Sequence, residues 1–494
     1  DAPGAVFTGR GGLPLPAPTD SAGFYQFKDL APGVYRIVEV HPSNWIDGRE
    51  TVGRVNGTTV GSASTNDQFG EIDMSDAESA ALNGVNYNFG ERLGSISGVV
   101  HADRDGDCVL DQDETPIAGV TMELLNAQGT VIATTQTDAA GSYSFGDLQV
   151  GTYSVRQVQP TAYFHGDQHV GTGTGDASGR NIITGIQIGG GHVRLTGYNY
   201  CAAYGSLSGF VYHDRDNDGL REPAGGEEAI SGIKIRLLDE QGHVVTDRSG
   251  QPLIAITDDA GFYHFTDLQP GVYRIVEEQP GSWIDGRETV GRVGSQTVGT
   301  STANDQFQAV DISDVSGAAL HGVQYNFGER LGRIEGYVHA DSDGDCEFDA
   351  GETPIAGVLV TLTDQDGNAW TTVTDQQGHY GFDDLPPGTY AVTETQPNEY
   401  FSGGENYADS QPHDNVIRGI QIDGNRISVS DLNFCETLGS LSGYVYHDRD
   451  DDGRREPAQG EEAIAGVTIR LHHEDGTPVV DGQGNPRIAV TDAL

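Results

Sequence analysis

The chain has 494 residues, 70 of them glycine, and its formal net charge is −47 at pH 7. This surplus of negative charge argues against nucleic acid and anionic membranes as partners and favours the binding of cations, although a salt-adapted surface would have a similar composition. No apolar run is long enough to insert into a bilayer, and abundant glycine without long helical periodicity predicts an all-β chain.

Two kinds of repeat alternate along the chain. The motif GSISGVV returns later as GRIEGYV, and GSLSGFVYHDRD returns as GSLSGYVYHDRD. These matches predict five segments: 1–93, 94–204, 205–331, 332–438 and 439–494. The second and fourth segments carry cysteine, and the third does not. The first segment matches the later part of the third segment, and the last segment matches its earlier part.

The two terminal segments are partial copies of one repeat, and we expect the chain to be a window on a longer array. The alternative is that the C-terminal part of one copy completes the N-terminal part of the next. That alternative is less attractive because residues 1–20 and 473–492 match the same part of the repeat, so that joining the ends would duplicate strands.

Residues 103–114, DRDGDCVLDQDE, carry acids at the first, third, fifth, ninth and twelfth positions. These acids are Asp103, Asp105, Asp107, Asp111 and Glu114. This is the ligand spacing of an EF-hand calcium loop, in which position seven, here Val109, offers a backbone carbonyl. Carboxylates at this density repel each other unless a cation lies among them, and flexible oxygen coordination favours calcium over magnesium. The alternative is a solvated acidic turn.

The pattern returns three more times, which argues against a merely solvated turn. Residues 341–352 keep its spacing, whereas 214–227 and 448–461 have two extra residues before the closing glutamate. Each loop lies between two alternating segments, which predicts that it joins strands and not the helices of an EF-hand. The further candidate calcium ligands are Asp214, Asp216, Asp218, Leu220, Glu222 and Glu227; Asp341, Asp343, Asp345, Glu347, Asp349 and Glu352; and Asp448, Asp450, Asp452, Arg454, Glu456 and Glu461.

A second motif, TDAAGSYSFGDLQVGTYSVRQVQP at 137–160, has three relatives in the chain. Its Asp-x-x-Gly predicts a tight turn. Alternation places Tyr143 and Phe145 on one face. After a further turn it places Tyr153 and Val155 on the same face. We therefore predict a β-hairpin-like pair of strands whose aromatic side chains pack in the core.

The motifs SGxVxxDxDxDG, IxGVxVxL, TDxxGxYxFxxLxPGxYxVxExQP and a closing YNFGE, in this order, resemble the SdrD B-like repeat. That family is grouped with the Cna B-type, prealbumin-like domains of bacterial surface proteins. The resemblance covers essentially the whole chain. It implies β-sandwiches of about seven strands that are secreted, bind calcium and follow one another as a stalk. The chain departs from the family pattern where Cys108 and Cys346 replace the glycine after the third aspartate of the loop.

The four cysteines occupy matching places in the two cysteine-bearing segments. Cys108 and Cys346 lie in the acidic loop, and Cys201 and Cys435 lie in the last strand. Because no spacing typical of a zinc site accompanies them, we predict the disulfides Cys108–Cys201 and Cys346–Cys435, which imply an oxidising, extracytoplasmic setting.

Other acids are weaker candidates for metal binding. Asp47, Asp67, Asp285 and Asp305 could form a second site, but we interpret them as ordinary Asx turns. The histidines that recur before the loops, such as His101, are interpreted as strand-end packing or as partners of the metal ligands. We do not expect an enzyme, because no nucleophile–base motif or phosphate loop is present.

These features predict a structural, calcium-stiffened segment of an extracellular fibre or cell-surface stalk. Its partners would be neighbouring copies of the same repeat, in series or laterally, with no nucleic acid involved. The alternative is an adhesin region that presents loops such as 163–180 and 400–415 to a sugar or a protein. These two loops differ in sequence, which fits passive spacers better than a shared binding site.

Overall fold

The structure is a computed structural model that describes residues 16–407, 414–481 and 483–492. The predicted all-β class is confirmed, with 3₁₀ turns at Pro223–Gly225 and Pro457–Gln459. Residues 1–15 of segment 1–93 and residues 408–413 of the loop 400–415 lie outside the described residues. The chain falls into two compact units: the first extends to Arg330 without 281–284, and the second contains 281–284 and the residues from Leu331 on. The bounds of the five segments stay a prediction.

Strands β1 to β19 lie in the first two segments. In segment 1–93 they are β1 Gly33–Val38, β2 Ile46–Asp47, β3 Arg54–Val55, β4 Thr58–Thr59, β5 Ser62–Thr65, β6 Gln68–Met74, β7 Gly84–Val85 and β8 Glu91–Arg92. In segment 94–204 they are β9 Gly94–Ala102, β10 Thr115–Pro116, β11 Thr121–Leu125, β12 Val131–Gln136, β13 Ser142–Leu148, β14 Gly151–Gln157, β15 Phe164–His169, β16 Asp176–Gly179, β17 Ile182–Ile188, β18 Arg194–Leu195 and β19 Asn199–Ala203.

Strands β20 to β43 lie in the remaining segments. In segment 205–331 they are β20 Gly205–His213, β21 Lys234–Asp239, β22 Ile254–Ile256, β23 Phe262–Leu268, β24 Val272–Glu277, β25 Ile284–Asp285, β26 Arg292–Val293, β27 Gln296–Thr297, β28 Thr300–Ala303, β29 Gln306–Asp311, β30 His321–Val323 and β31 Phe327–Arg330. In segments 332–438 and 439–494 they are β32 Gly332–Ala340, β33 Thr353–Pro354, β34 Leu359–Asp364, β35 Ala369–Val373, β36 His379–Leu385, β37 Gly388–Glu394, β38 Phe401–Glu405, β39 Val416–Ile422, β40 Ser428–Val429, β41 Phe434–Thr437, β42 Thr468–Arg470 and β43 Ile488–Val490.

Segment 94–204 is a sandwich of two sheets around one core. The first sheet has the order β10-β9-β19-β15, with β13 and β18 also paired to β9, and the second has the order β12-β11-β14-β17-β16. Segments 205–331 and 332–438 repeat this plan with β20 and β32 in the place of β9. Inward residues of both sheets, among them Tyr143, Val155 and Ile183, belong to a single buried cluster. Alternation along each strand therefore builds the core between the sheets.

The predicted hairpin-like pairing in the motif 137–160 is wrong. The motif does form two consecutive strands, and Tyr143, Phe145, Tyr153 and Val155 are buried as predicted. However, β13 pairs with β9, whereas β14 pairs with β11 and β17 in the opposite sheet. The chain crosses between the sheets near Asp147, whose φ is 55°. Alternation places side chains on the core face, but it does not say from which sheet they reach the core.

The second glycine of the recurring motifs GSISG and GSLSG is required by a close approach of two chain segments. A Cβ atom on Gly98 would lie 1.8 Å from the carbonyl oxygen of Tyr198, and one on Gly209 would lie 1.7 Å from that of Tyr325. The first strand of each sandwich, which leads into the acidic loop, is thereby held against the residues that lead into the last strand. Within the described residues no helix has the length and apolar character that a bilayer span needs.

Candidate metal centre

Each complete sandwich presents its acidic loop at the end of its first strand. In segment 94–204 the chain leaves β9 after Ala102 and returns through β10, where Thr115 pairs with Ala102. Strands therefore close the loop, as the sequence predicts. This frame brings together the beginning and the end of the loop: Asp103, Asp105 and Glu114 each offer a carboxylate oxygen, and these oxygens lie within 4.8 Å of one another.

A similar group forms in segment 205–331 from the first three acids of its loop. Oxygens of Asp214, Asp216 and Asp218 lie within 4.8 Å of one another. Asp214 is fully buried, and this burial raises the pKa of its carboxyl group. Its own N–H donates to the carbonyl of Glu329 in β31 at 2.8 Å, which fixes the loop to the last strand. Three carboxylates at such short range are the arrangement that a hard dication stabilises.

One hydrogen-bond frame recurs in all four loops. Oδ2 of the first aspartate accepts the N–H of position six at 2.9–3.1 Å. Oε2 of the closing glutamate accepts the N–H of position nine at 2.6–3.2 Å. The acid at position five accepts the N–H of position seven at 2.6–2.9 Å. The backbone thus orients three of the predicted carboxylate ligands in every loop.

The loop 341–352 shows the electrostatic consequence of this crowding. Burial raises the pKa of Asp341, but N–H donors including those of Gly344 and Cys346 outweigh it, so that the pKa is lowered overall. The pKa of Asp343 is raised, chiefly by the charge of Asp345. The loop therefore keeps one carboxylate charged while its neighbours repel each other, and a bound dication would relieve that repulsion.

The remaining predicted ligands stay predictions. At position seven they are the backbone carbonyls of Val109, Leu220, Glu347 and Arg454, and at position nine the side chains of Asp111, Glu222, Asp349 and Glu456. The fourth loop also differs in its frame. Before this loop Tyr446 forms an isolated bridge with Ala463, whereas strands β9, β20 and β32 lead into the other three loops.

Both predicted disulfides are present. Cys108 pairs with Cys201 and Cys346 pairs with Cys435, with Cα atoms 5.5 and 5.4 Å apart. Cys108 and Cys346 have φ values of 59° and 61°, in the left-handed region that Gly219 occupies with 81° at the same loop position. The cysteines therefore keep the backbone conformation of the glycine that they replace, and each disulfide ties the acidic loop to the last strand.

A buried histidine lies behind the closing glutamate in both cysteine-bearing segments. His101 and His339 are fully buried, and their Nε2 atoms lie 3.3 and 3.2 Å from Oε2 of Glu114 and Glu352. Burial lowers the pKa of both histidines, and this effect outweighs the negative charge of the glutamate, which raises the pKa. A neutral ring in this position fits the interpretation of these histidines as partners of the metal ligands.

In segment 205–331 the weaker candidate Asp305 belongs to a second group of acids, whose glutamates Glu277 and Glu329 the sequence analysis missed. Asp305, interpreted as an Asx turn, lies with Glu277 and Glu329 so that one oxygen of each is within 4.8 Å of the others. Both glutamates are buried. A signal was available, since Glu277 continues the inward alternation of Tyr273 and Ile275 along β24, where an apolar residue is expected.

Comparison with known proteins agrees with the resemblance seen in the motifs. The family model for the SdrD B-like domain matches residues 94–190, 205–317 and 332–430. The chain is 30% identical over 404 residues to serine-aspartate repeat-containing protein D of Staphylococcus aureus (strain MW2), which covers 79% of this chain and 27% of that protein. It is 27% identical over 386 residues to serine-aspartate repeat-containing protein F of Staphylococcus epidermidis, which covers 77% of this chain and 21% of that protein.

The chain therefore spans about a quarter of the length of the curated relatives that it matches. Among solved structures, the Bacillus anthracis TIE protein is similar with a TM-score of 0.32 and 13% identity, over 84% of this chain and 70% of that one.

Proposed function

This chain belongs to the family of SdrD B-like domains, and from that premise we propose that it is a structural segment of an extracellular fibre or cell-surface stalk. In this proposal calcium binds the acidic loops and stiffens successive repeats. The observation that carries it is the recurrence of one hydrogen-bonded loop frame in four places. A spacer is needed many times along a chain, whereas an active site is usually needed once.

Two further features support an extracellular location of this protein. Disulfides such as Cys108–Cys201 form and persist in oxidising compartments. Two of its relatives are serine-aspartate repeat-containing proteins of staphylococci. Calcium modules that work outside cells bind weakly, with Kd values of roughly 10⁻⁴–10⁻³ M. We therefore expect loops that fill at extracellular calcium and empty in a chelator.

Contacts within the first unit link an acidic loop to the repeat that follows it. Arg104, the second residue of its loop, forms an ion pair with Asp267 at 3.0 Å. Arg248 hydrogen-bonds to the hydroxyl of Tyr204, and its guanidinium lies 4.9 Å from the centre of that ring. Exposed pairs of this kind are individually weak. A loop fixed by calcium would nevertheless hold Arg104 in place and so restrict movement at this junction.

Removing calcium from the full chain is expected to shorten its largest dimension in small-angle X-ray scattering. Loops without an ion lose the cross-link among their carboxylates, so that neighbouring repeats bend more freely and the average end-to-end distance falls. The measurement compares the native chain in excess calcium with the same chain after dialysis against a chelator at equal ionic strength.

The double variant Arg104→Ala/Arg248→Ala separates calcium binding from junction stiffness. It keeps every predicted calcium ligand but removes both contacts across the junction. We expect its largest dimension to fall below that of the native chain while calcium is still present. Identical scattering curves for the native chain with and without chelator would contradict the proposal that calcium stiffens it.

A further inference from the structure

We propose that segment 332–438 binds a second copy of this chain through the edge strand β35, Ala369–Val373. The two copies of β35 pair antiparallel about a two-fold axis that lies at Thr371. The partner surface is therefore the same strand of a neighbouring chain. This inference goes beyond the proposed function, because β35 contains no residue of an acidic loop and its pairing does not require calcium.

Strand β35 lies at the edge of its sheet and is open on one side. The order of the sheet is β35-β34-β37-β39, and β34 is the one strand that pairs with β35 in the part of the chain that the structure describes. Four of its five residues are exposed, among them Trp370 at 41% and Val373 at 58%. An open strand edge is a template on which another chain can add a strand.

The hydrogen bonds at the two ends of β35 show which of its backbone groups face a partner. At one end the N–H of Asp364 donates to the carbonyl of Asn368 at 3.1 Å. At the other end the N–H of Thr374 donates to the carbonyl of Val358 at 3.0 Å. Backbone groups alternate in direction along a strand, so the even-numbered residues between these ends face β34. The residues whose backbone groups point away from the sheet are therefore Ala369, Thr371 and Val373.

Strand β35 carries no charged side chain, although the formal net charge of the chain is −47. Natural edge strands are commonly blocked by charged side chains or by proline, and the sequence AWTTV has neither. Two copies of this chain repel each other over most of their surface, because both are strongly acidic. An uncharged strip is a place where a second copy can approach closely, and the second copy itself supplies an uncharged strand to pair with it.

Other repeats keep the same edge free of charge. The counterparts of β35 are β12, β22 and β43, and each lies at the edge of its sheet. Their sequences, VIATTQ, IAI and IAV, contain no charged residue and no proline. A merely solvated edge would tolerate acids as readily as the rest of this acidic surface does. Strand β35 adds a large aromatic side chain, Trp370, and we therefore expect it to bind most strongly.

A two-fold axis at Thr371 fits both the backbone and the side chains of β35. It places Thr371 opposite Thr371 of the second copy, and Ala369 opposite Val373. The outward backbone groups of the two strands then face each other and can exchange about six hydrogen bonds. Threonine beside threonine, and Trp370 beside the β-branched Thr372, are cross-strand pairs that stabilise a sheet.

The same register separates the acids that flank β35. When the antiparallel alignment is continued beyond the ends of the strand, Asp375 comes opposite Gly367, and Asp366 comes opposite Gln376 of the second copy. No acid within residues 364–378 directly faces another acid. The pairing therefore brings two acidic chains together without placing like charges opposite each other, which would destabilise the joined sheet.

Sedimentation equilibrium of the full chain in excess calcium tests this inference. The native chain is expected to form a reversible dimer as its concentration rises. Added salt is expected to strengthen the dimer, because salt screens the repulsion between two acidic chains. Thr371→Glu replaces a favourable cross-strand pair with two like charges directly opposite each other, and is expected to weaken the dimer by about tenfold.

The matched control is Thr393→Glu, which makes the same change of charge on β37, inside the sheet. Thr371 and Thr393 both pair with Thr361 of β34, so the two threonines lie in one row on the same face of the sheet. The control is expected to dimerise as the native chain does. Hydrogen exchange of β34 and β37 is expected to show that both variants keep the native fold.

A mixture of two variants tests the position of the two-fold axis. Thr371→Lys alone is also expected to weaken the dimer, because two lysines then lie opposite each other. In an equal mixture of Thr371→Lys and Thr371→Glu, each lysine meets a glutamate across the axis, and dimerisation is expected to return to at least its native strength.

Three results would overturn the pairing of β35. A native chain that stays monomeric at every salt concentration would assign this edge to an extended segment of another protein, and would leave the proposed calcium stiffening standing. An equal loss in Thr371→Glu and Thr393→Glu would show that the chains meet through the face of the sheet. A mixture of the two Thr371 variants that stays as weak as either alone would exclude a two-fold axis at Thr371.

Discussion

The double variant Cys108→Gly/Cys201→Ala is expected to lower the free energy of unfolding of segment 94–204 by about 4–5 kcal/mol. The disulfide joins residues 93 positions apart, and on the chain-entropy model a cross-link over such a loop removes that much freedom from the unfolded chain. Glycine is chosen for position 108 because Cys108 has a φ of 59°. This choice avoids adding backbone strain to the loss of the cross-link.

Hydrogen exchange of the full chain, read by mass spectrometry, is the measurement for this disulfide. The most protected amides of β11 and β13 are expected to exchange about a thousandfold faster in the variant, since 1.4 kcal/mol corresponds to a factor of ten. The matched control is Cys346→Gly/Cys435→Ala, which should change segment 332–438 and leave β11 and β13 as they are. Native protection of β11 and β13 in the first variant would show that the disulfide adds nothing to the sandwich.

Glu114→Gln is expected to remove the calcium-dependent part of the stability of segment 94–204. At calcium concentrations tenfold to a hundredfold above Kd, one bound ion contributes about 1.4–2.7 kcal/mol. Glutamine keeps one oxygen that can accept the N–H of Arg104, but it lacks the charge and the second oxygen through which the glutamate would bind the ion. Without calcium the variant should lose only the hydrogen bond that the N–H of Asp111 donates to Oε2 of Glu114.

The control for this prediction is Asp113→Asn, which removes one charge at an exposed position of the same loop that is outside the ligand spacing. Protection of β9 and β11 is compared with and without chelator in the native chain and in both variants. The native chain and Asp113→Asn are expected to lose protection in chelator, whereas Glu114→Gln should show the lower value in both conditions. An effect of chelator that is equally large in all three would contradict the assignment of Glu114 as a ligand.

Local patterns in the sequence predicted that strands frame the acidic loops and that their acids lie together, because the acids of each loop lie within a short stretch; calcium binding stays a prediction. Spacing alone could bring Asp103 and Glu114 together, and alternation could identify the strands on either side of them. The cysteines were also predictable, since Cys108 and Cys201 recur at matching places. The conformation of Cys108 was not, because cysteine rarely adopts a positive φ and only the structure shows that it keeps the glycine backbone.

The errors concern residues that meet only in three dimensions. Tyr143 and Tyr153 both point into the core. Two strands of one sheet and two strands of opposite sheets show the same alternation of inward residues. The sequence pattern therefore could not exclude the hairpin. Glu277, at the end of β24, and Glu329, within β31, lie far apart in sequence. Their proximity depends on the pairing of β31 with β20, which no local pattern encodes.

Calorimetric titration of the calcium-free full chain with calcium tests the central claim most directly, when it is compared with the variant Glu114→Gln/Glu227→Gln/Glu352→Gln/Glu461→Gln. The native chain is expected to bind one more ion for each acidic loop than the variant, with Kd values of roughly 10⁻⁴–10⁻³ M. The same number of ions on both proteins, or no heat of binding to the native chain, would contradict it.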